Sequence, residues 1–304
     1  MRNTKSGLFK IGIVLLIMIA ILTIFAPWIA PYGVNEMDPP RLQEDGSWRA
    51  PPFPISAKHL LGTDTNGYDI LSRLLYGAKY TIGFLIATAI LRLIIALPIG
   101  MYLGWSEGRM AKLLVRFFQV WTTLPMIIIA FFLLATLMTI DSIILKITFQ
   151  AVILTVVGIP ILSNTIHLHT KEIKEAEFIE GAKVLGGNGL HILHKHIFPH
   201  LKPRLLLLWI MELVQVLSIM GQLAIVNVII GGVHMSFFNG IPTIKPNIPE
   251  WTALITISRY RIFQSPYLLL GPLIAYALVL ITLVFISEGL KEKEDLSEAS
   301  YELD

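Results

Sequence analysis

The chain has 304 residues, of which 55% are hydrophobic and only 15% charged, and its mean hydropathy is +0.70. A soluble domain carries about 25% charged residues, so several segments here must face lipid. A net charge of +3 spread between apolar runs excludes a nucleic-acid surface, and the lack of cysteine excludes disulfides, thiolate metal sites and a catalytic thiol.

A helix needs roughly 20 apolar residues to cross a hydrocarbon core of about 30 Å. Six runs meet that length, over 8–29, 81–104, 113–138, 147–164, 205–230 and 268–290. They predict an all-α polytopic membrane protein with six transmembrane helices. The first run follows a basic tail of Arg2, Lys5 and Lys10. It exceeds the roughly 7–15 apolar residues of a cleaved signal and lacks a small-residue cleavage site, so it reads as an uncleaved anchor. Pro98, Pro125 and Pro160 lie in or beside the runs; in a packed bundle, neighbouring helices satisfy the carbonyls that prolines free.

Fourteen of the 24 basic residues fall in the segments that are inner if the N-terminus is cytoplasmic, nine fall in the outer segments, and Arg92 lies within a span. This bias predicts that both termini are cytoplasmic. A cysteine at Ser47 is then expected to label from outside. The outer segments 30–80 and 231–267 are rich in proline and read as extended, irregular loops. The chain divides into an anchor with its outer loop (1–80), a five-helix core (81–290) with an inner loop (167–203), and an acidic, solvated tail (291–304).

The inner loop is charged and helical in period. Phe178, Ile179, Ala182 and Leu185 recur at i, i+1, i+4 and i+7, one face of a helix. Gly186-Gly187-Asn188-Gly189 must break that helix, because glycine and asparagine readily take the left-handed cap. A second short run, 190–198, is expected to stop at Pro199. On pattern alone this hairpin could simply lie on the membrane surface.

The residues carry a resemblance. Glu180-Gly181-Ala182, three residues, Gly186, nine residues, then His196-Ile197-Phe198-Pro199 is similar to the EAA loop of bacterial ABC importer permeases, Glu-Ala-Ala, three residues, Gly, nine residues, Ile, one residue, Leu-Pro. Gly181, His196 and Phe198 depart from it. Upstream, Leu61-Gly62-Thr63-Asp64, Gly67-Tyr68-Asp69, Leu71-Ser72-Arg73 and Gly77-Ala78-Lys79 resemble the segment before the second span in the dipeptide/oligopeptide/nickel permease family, with Tyr68 and Lys79 where arginines are usual. Gly104-Trp105, Gly108-Arg109, Arg116, Pro125 and Pro249-Glu250-Trp251 also follow its pattern, whereas Gln119 replaces a common aspartate.

The resemblance covers essentially the whole chain and points to the second, C-type, membrane subunit. It implies a type I ABC importer permease fold, half of a translocation pore for short peptides, and coupling to ATPase subunits through Glu177, Phe178, Glu180, Gly181, Ala182, Leu185 and Gly186. It further implies as partners a second homologous permease, two ATPase subunits and an extracellular solute-binding protein, with nickel or a metal chelate as the alternative solute. The chain has no Gly-x-x-x-x-Gly-Lys-[Ser/Thr] loop, so ATP hydrolysis is expected on the partners. No cofactor or metal is implied.

Other residues have blander readings. Six of eight histidines lie in the inner loop; His196 and His200, four apart, could face one metal, but without acidic or thiolate company they read as solvated. Asp64, Asp69 and Arg73 read as turn and cap chemistry. Intramembrane Arg92, Glu212 and Gln215 are functional suspects by position and keep an ion-coupled secondary transporter open as a rival class. Arg92 lies about 17 Å below the outer surface and Glu212 about 12 Å above the inner one, at 1.5 Å per residue. In a core of about 30 Å these depths nearly coincide, which predicts an ion pair; the alternative is that each charge faces the aqueous path separately.

Overall fold

The computed structural model describes residues 2–42, 48–136, 140–238 and 241–301. Ser47, the Met138 end of the third run and residues 302–304 lie outside the described residues. The order is α1 (Arg2–Ile24), α2 (Ala26–Ile29), β1 (Arg41–Leu42), β2 (Trp48–Arg49), α3 (Ile70–Trp105), α4 (Arg109–Thr123), α5 (Met126–Ala135), α6 (Ile143–Lys174), α7 (Glu177–Val184), α8 (Gly189–Ile192), a π-helical turn (Leu193–Ile197), α9 (Phe198–Ile225), β3 (Val233–Phe238), β4 (Ile241–Pro246), α10 (Trp251–Arg259) and α11 (Tyr267–Tyr301). The membrane part is all-α. Each strand pair is an antiparallel hairpin in one of the outer segments.

Among the described residues five helices are long and apolar enough to cross a membrane, or six if one bent pair counts as a span. That pair corrects the expected straight third span: α4 and α5 meet at 89°. The residue before a proline is driven out of the helical region, and Leu124, before Pro125, is extended at φ −83°, ψ 135°. The first span likewise breaks, at Phe25, before the short α2.

Three further boundaries differ from expectation. Helix α3 starts at Ile70, inside the expected outer loop, because the Asp69 side chain caps it by accepting from the Ser72 N–H. Pro199 does not stop the second inner helix. It follows just after a π-helical turn, in which the Phe198 N–H reaches the Leu193 carbonyl and the backbone passes from α8 into α9 without a break. The last span runs on beyond Leu290, α11 continuing as helix to Tyr301. The second outer segment is not irregular either: it holds the β3–β4 hairpin and the buried α10.

The most extensive helix pair is α3 against α6. Gly100 and Gly104, one turn apart on α3, meet Ile166 and Thr170 of α6 so closely that an added Cβ would come within 2.6 and 2.5 Å of their side chains. Small residues at this spacing let backbones approach in lipid, where no hydrophobic force drives helices together. Helices α9, α10 and α11 close the outer core around Leu217, Met220, Trp251 and Leu268, while a second apolar cluster, Leu162, Ile166, Ile179, Ile192, Ile197 and Leu201, lies at the inner end.

Candidate functional site

Two arrangements stand out, a polar knot inside the bundle and the inner helical tip. Arg92 of α3 is fully buried. Its Nη1 donates to Glu212 Oε2 at 2.9 Å and to Gln215 Oε1 at 3.1 Å, both on α9. Nε and Nη2 donate to the Leu154 carbonyl of α6 at 3.0 and 2.6 Å. One guanidinium thus joins three helices, and its planar fork is suited to such convergence. Gly158 makes the room, since a Cβ there would lie 2.3 Å from the guanidinium carbon. A turn along, Trp121 of α4 donates to the Val157 carbonyl at 3.1 Å. Both donors reach carbonyls of α6 in the turns before Pro160.

At the inner end, α7 is docked by Ile179, which is fully buried with Ile192, Ile197 and Leu201, and by the half-buried Ala182. The expected single apolar face is therefore split. Ile179 and Ala182 turn inward; Phe178, 43% exposed, stacks on His200 with ring centroids 4.6 Å apart; Leu185 turns outward, 90% exposed, beside Val184 at 88% and Leu190 at 81%. Glu177, Glu180 and Gly181 are exposed. Gly186 ends α7 at φ +82°, a conformation that a Cβ penalises, with Gly186 N–H on Lys183 O and Gly187 N–H on Ala182 O, each at 3.0 Å. Asn188 then caps α8 by accepting from His191 N–H. Lys174 fixes the base by donating to Trp105 O at 2.9 Å and to Glu107 at 2.7 Å, and that ammonium holds the Glu107 carboxyl below its usual range.

The outer motif is a folded turn. Asp64 accepts from the Asn66 and Tyr68 N–H groups at 2.8 and 3.0 Å and pairs with Arg73. Gly62 and Gly67 take positive φ. Thr63 accepts from Phe53 N–H at 2.8 Å, and Asp69 binds Ser72 and His59. His196 and His200 are joined only by a ring-to-carbonyl hydrogen bond, and among the described residues no group of three potential ligands gathers.

Sequence reasoning missed Glu250 as a structural residue. It is fully buried at the start of α10 and accepts from Thr252 N–H at 2.9 Å, Ala253 N–H at 2.8 Å and the Thr252 hydroxyl. Burial pushes its carboxyl up to about 7, against the pull of the Thr252 and Ala253 donors. The neighbouring Trp251 donates to Leu74 O at 2.8 Å. The only signal was the run Pro249-Glu250-Trp251-Thr252, a proline followed by a potential cap.

Residues 96–292 match the family model described as binding-protein-dependent transport system inner membrane component. The chain belongs to this family. The matched part of the permease carries the inner end of α3, the α6 and α9 partners of Arg92 (Arg92 itself lies just before it), the inner tip and α10. Residues 4–52 match a second model, the N-terminal TM domain of oligopeptide transport permease C. The permease is 26% identical to the dipeptide transport system permease protein DppC of Alkalihalophilus pseudofirmus, over 96% of this chain and 86% of that one. It is also 26% identical to the glutathione transport system permease protein GsiD of Pectobacterium atrosepticum, over 93% and 85%. With the di/tripeptide transport system permease protein DppC of Pseudomonas aeruginosa it shares 22%, over 93% and 86%. The permease is thus a multi-pass inner-membrane subunit of an ABC importer of the C type.

Proposed function

We propose that the permease forms half of a translocation pore for short peptides and couples it to ATP hydrolysis on two partner ATPase subunits. A second homologous permease completes the pore, an extracellular binding protein delivers the solute, and both termini are cytoplasmic. The solute class follows the dipeptide, glutathione and di/tripeptide names of the relatives. The observation that carries the coupling role is the tip itself: Val184, Leu185 and Leu190 stand 88, 90 and 81% exposed on a helix pair anchored by buried Ile179 and Ile192. Exposed apolar groups on a rigid support mark an interaction surface. Glu177, Glu180 and Gly181 flank them.

The test is peptide-stimulated ATPase activity of the reconstituted transporter. Leu185→Glu places a charge in the contact and should abolish stimulation while the permease still inserts. Gly186→Val should cost about 1–2 kcal/mol through the left-handed turn and uncouple likewise, whereas Gly181→Ala, with open space at its Cβ, should be silent. Full stimulation in both Leu185→Glu and Gly186→Val refutes the coupling role. Uptake of nickel in place of dipeptide refutes the solute class.

A further inference from the structure

On the inner side, a cleft of about 680 Å³ opens between α4 and the inner ends of α3 and α6, beside α7. Five cations line it, Lys112 and Arg116 from α4, Lys171 and Lys174 from α6 and Lys183 from α7, against three carboxylates, Glu107, Glu175 and Glu180. Lys174 is committed to Glu107 and the Trp105 carbonyl, and Lys183 lies over the Trp105 ring. The side chains of Lys112, Arg116 and Lys171 make no hydrogen bond or ion pair among the described residues, although Lys112 acts on the Glu107 carboxylate through space. The cleft therefore concentrates positive charge that the chain itself does not neutralise.

The rest of the lining sets the polar Ser106, Gln119 and His167 beside an apolar floor. Leu103 and Ala111 are buried, Val115 is half-buried and Leu168 is 54% exposed. The apolar surface continues outside the cleft along α4, where Met110, Leu113 and Phe117 are 67, 61 and 52% exposed. In the wall, His167 Nδ1 is buried without a partner among the described residues. A small aqueous anion would use the cations and leave the apolar floor bare. A ligand with an anionic head and an aliphatic body uses both, and basic pockets between spanning helices on the cytoplasmic side suit the head groups of anionic lipids.

We propose that this cleft binds an anionic phospholipid of the inner leaflet. The phosphate is held by Lys112, Arg116 and Lys171, and the acyl chains lie on Leu103, Val115, Leu168 and the apolar face of α4. The leaflet rests on the orientation proposed above; the lipid chemistry does not.

The test uses the assembled transporter in neutral detergent, titrated with phosphatidylglycerol, with phosphatidylcholine and with sodium phosphate at matched ionic strength. Lipid retention is read by native mass spectrometry and stabilisation by the thermal midpoint. Phosphatidylglycerol should be retained selectively, and the triple variant Lys112→Gln, Arg116→Gln, Lys171→Gln should bind it about 100-fold more weakly, at about 1 kcal/mol for each cation. Leu168→Glu should weaken lipid retention without creating a phosphate response. Equal retention of both lipids, or selectivity unchanged in the triple variant, overturns the proposal. Stabilisation by phosphate equal to that by phosphatidylglycerol overturns the lipid in favour of a free anion. Selective retention in a permease whose Leu190→Cys labels from the outer side keeps the lipid and overturns the leaflet.

Discussion

The Arg92 knot makes a quantitative prediction. Arg92→Met removes a charge bound to Glu212, Gln215 and the Leu154 carbonyl and leaves Glu212, itself 95% buried, without a counter-charge. Removing one partner of a buried pair costs about 3–5 kcal/mol, mostly from the stranded charge. Glu212→Gln keeps an acceptor for Nη1 and leaves the cation bound to Gln215 and Leu154 O, so its loss should be nearer 1.5–3 kcal/mol, roughly that of a hydrogen bond to a charged group. The double variant strands no charge. It should be no worse than Arg92→Met alone, which makes the coupling energy roughly equal to the Glu212→Gln loss. Gly158→Ala adds an internal control. Its Cβ would sit 2.3 Å from the guanidinium carbon, an overpacking cost of about 1–3 kcal/mol that the narrower, flexible methionine of Arg92→Met should relieve. The assay is thermal unfolding of the purified transporter, with assembly checked by gel filtration. Strictly additive losses of Arg92→Met and Glu212→Gln would refute the pair.

Two other predictions are independent of the knot. Glu250 has its folded-state pKa raised by burial to about 7 from an ordinary value of 4.5. Between those values the unfolded chain releases a proton that the folded permease keeps, so stability falls as pH rises through that window, by on the order of 3 kcal/mol. Thermal midpoints from pH 4.5 to 8 should show the decline, and Glu250→Gln, which keeps one of the two acceptor oxygens of the cap, should flatten it; a profile identical to wild type refutes the assignment. For topology, single cysteines replacing Leu60 and Leu190, 59 and 81% exposed in a chain with no native cysteine, should label from the outside and the inside respectively. Reversed labelling overturns the orientation.

Much of this was readable from the residues, and the exceptions share a cause. Spans follow from run length because lipid admits only helices whose backbone groups are satisfied internally. Arg92 and Glu212 could be placed at one depth by counting rise per residue, and they meet at 2.9 Å. The positive φ of Gly186 follows from local chemistry. Hydropathy could not see that α3 extends out to Ile70, because Ser72, Arg73 and Lys79 make that stretch look like loop. Nor could it see α10, nine residues long among prolines and too short to be a span. The outward turn of Leu185 was hidden because α7 is oriented by Ile192, Ile197 and Leu201, residues of other segments that periodicity within α7 cannot report. Pro125 was noticed, but the size of the bend depends on how α4 and α5 pack against α6.

The continuity of α8, the π-helical turn and α9 has a mechanical consequence. A push on Leu190 at the tip acts on the same rod that reaches Ile225 at the outer end. Arg92 grips that rod at Glu212 and Gln215, about 33 Å from Leu190 and about 20 Å from Ile225 at 1.5 Å per residue. A rod held part-way along is a lever with its fulcrum at the knot. Tilting it about that point moves its two ends in opposite directions, the outer one by about six-tenths of the inner displacement. Motion taken up at the tip is thereby reversed in sense at the other end of the helix, and the guanidinium that sets the pivot also sets the ratio.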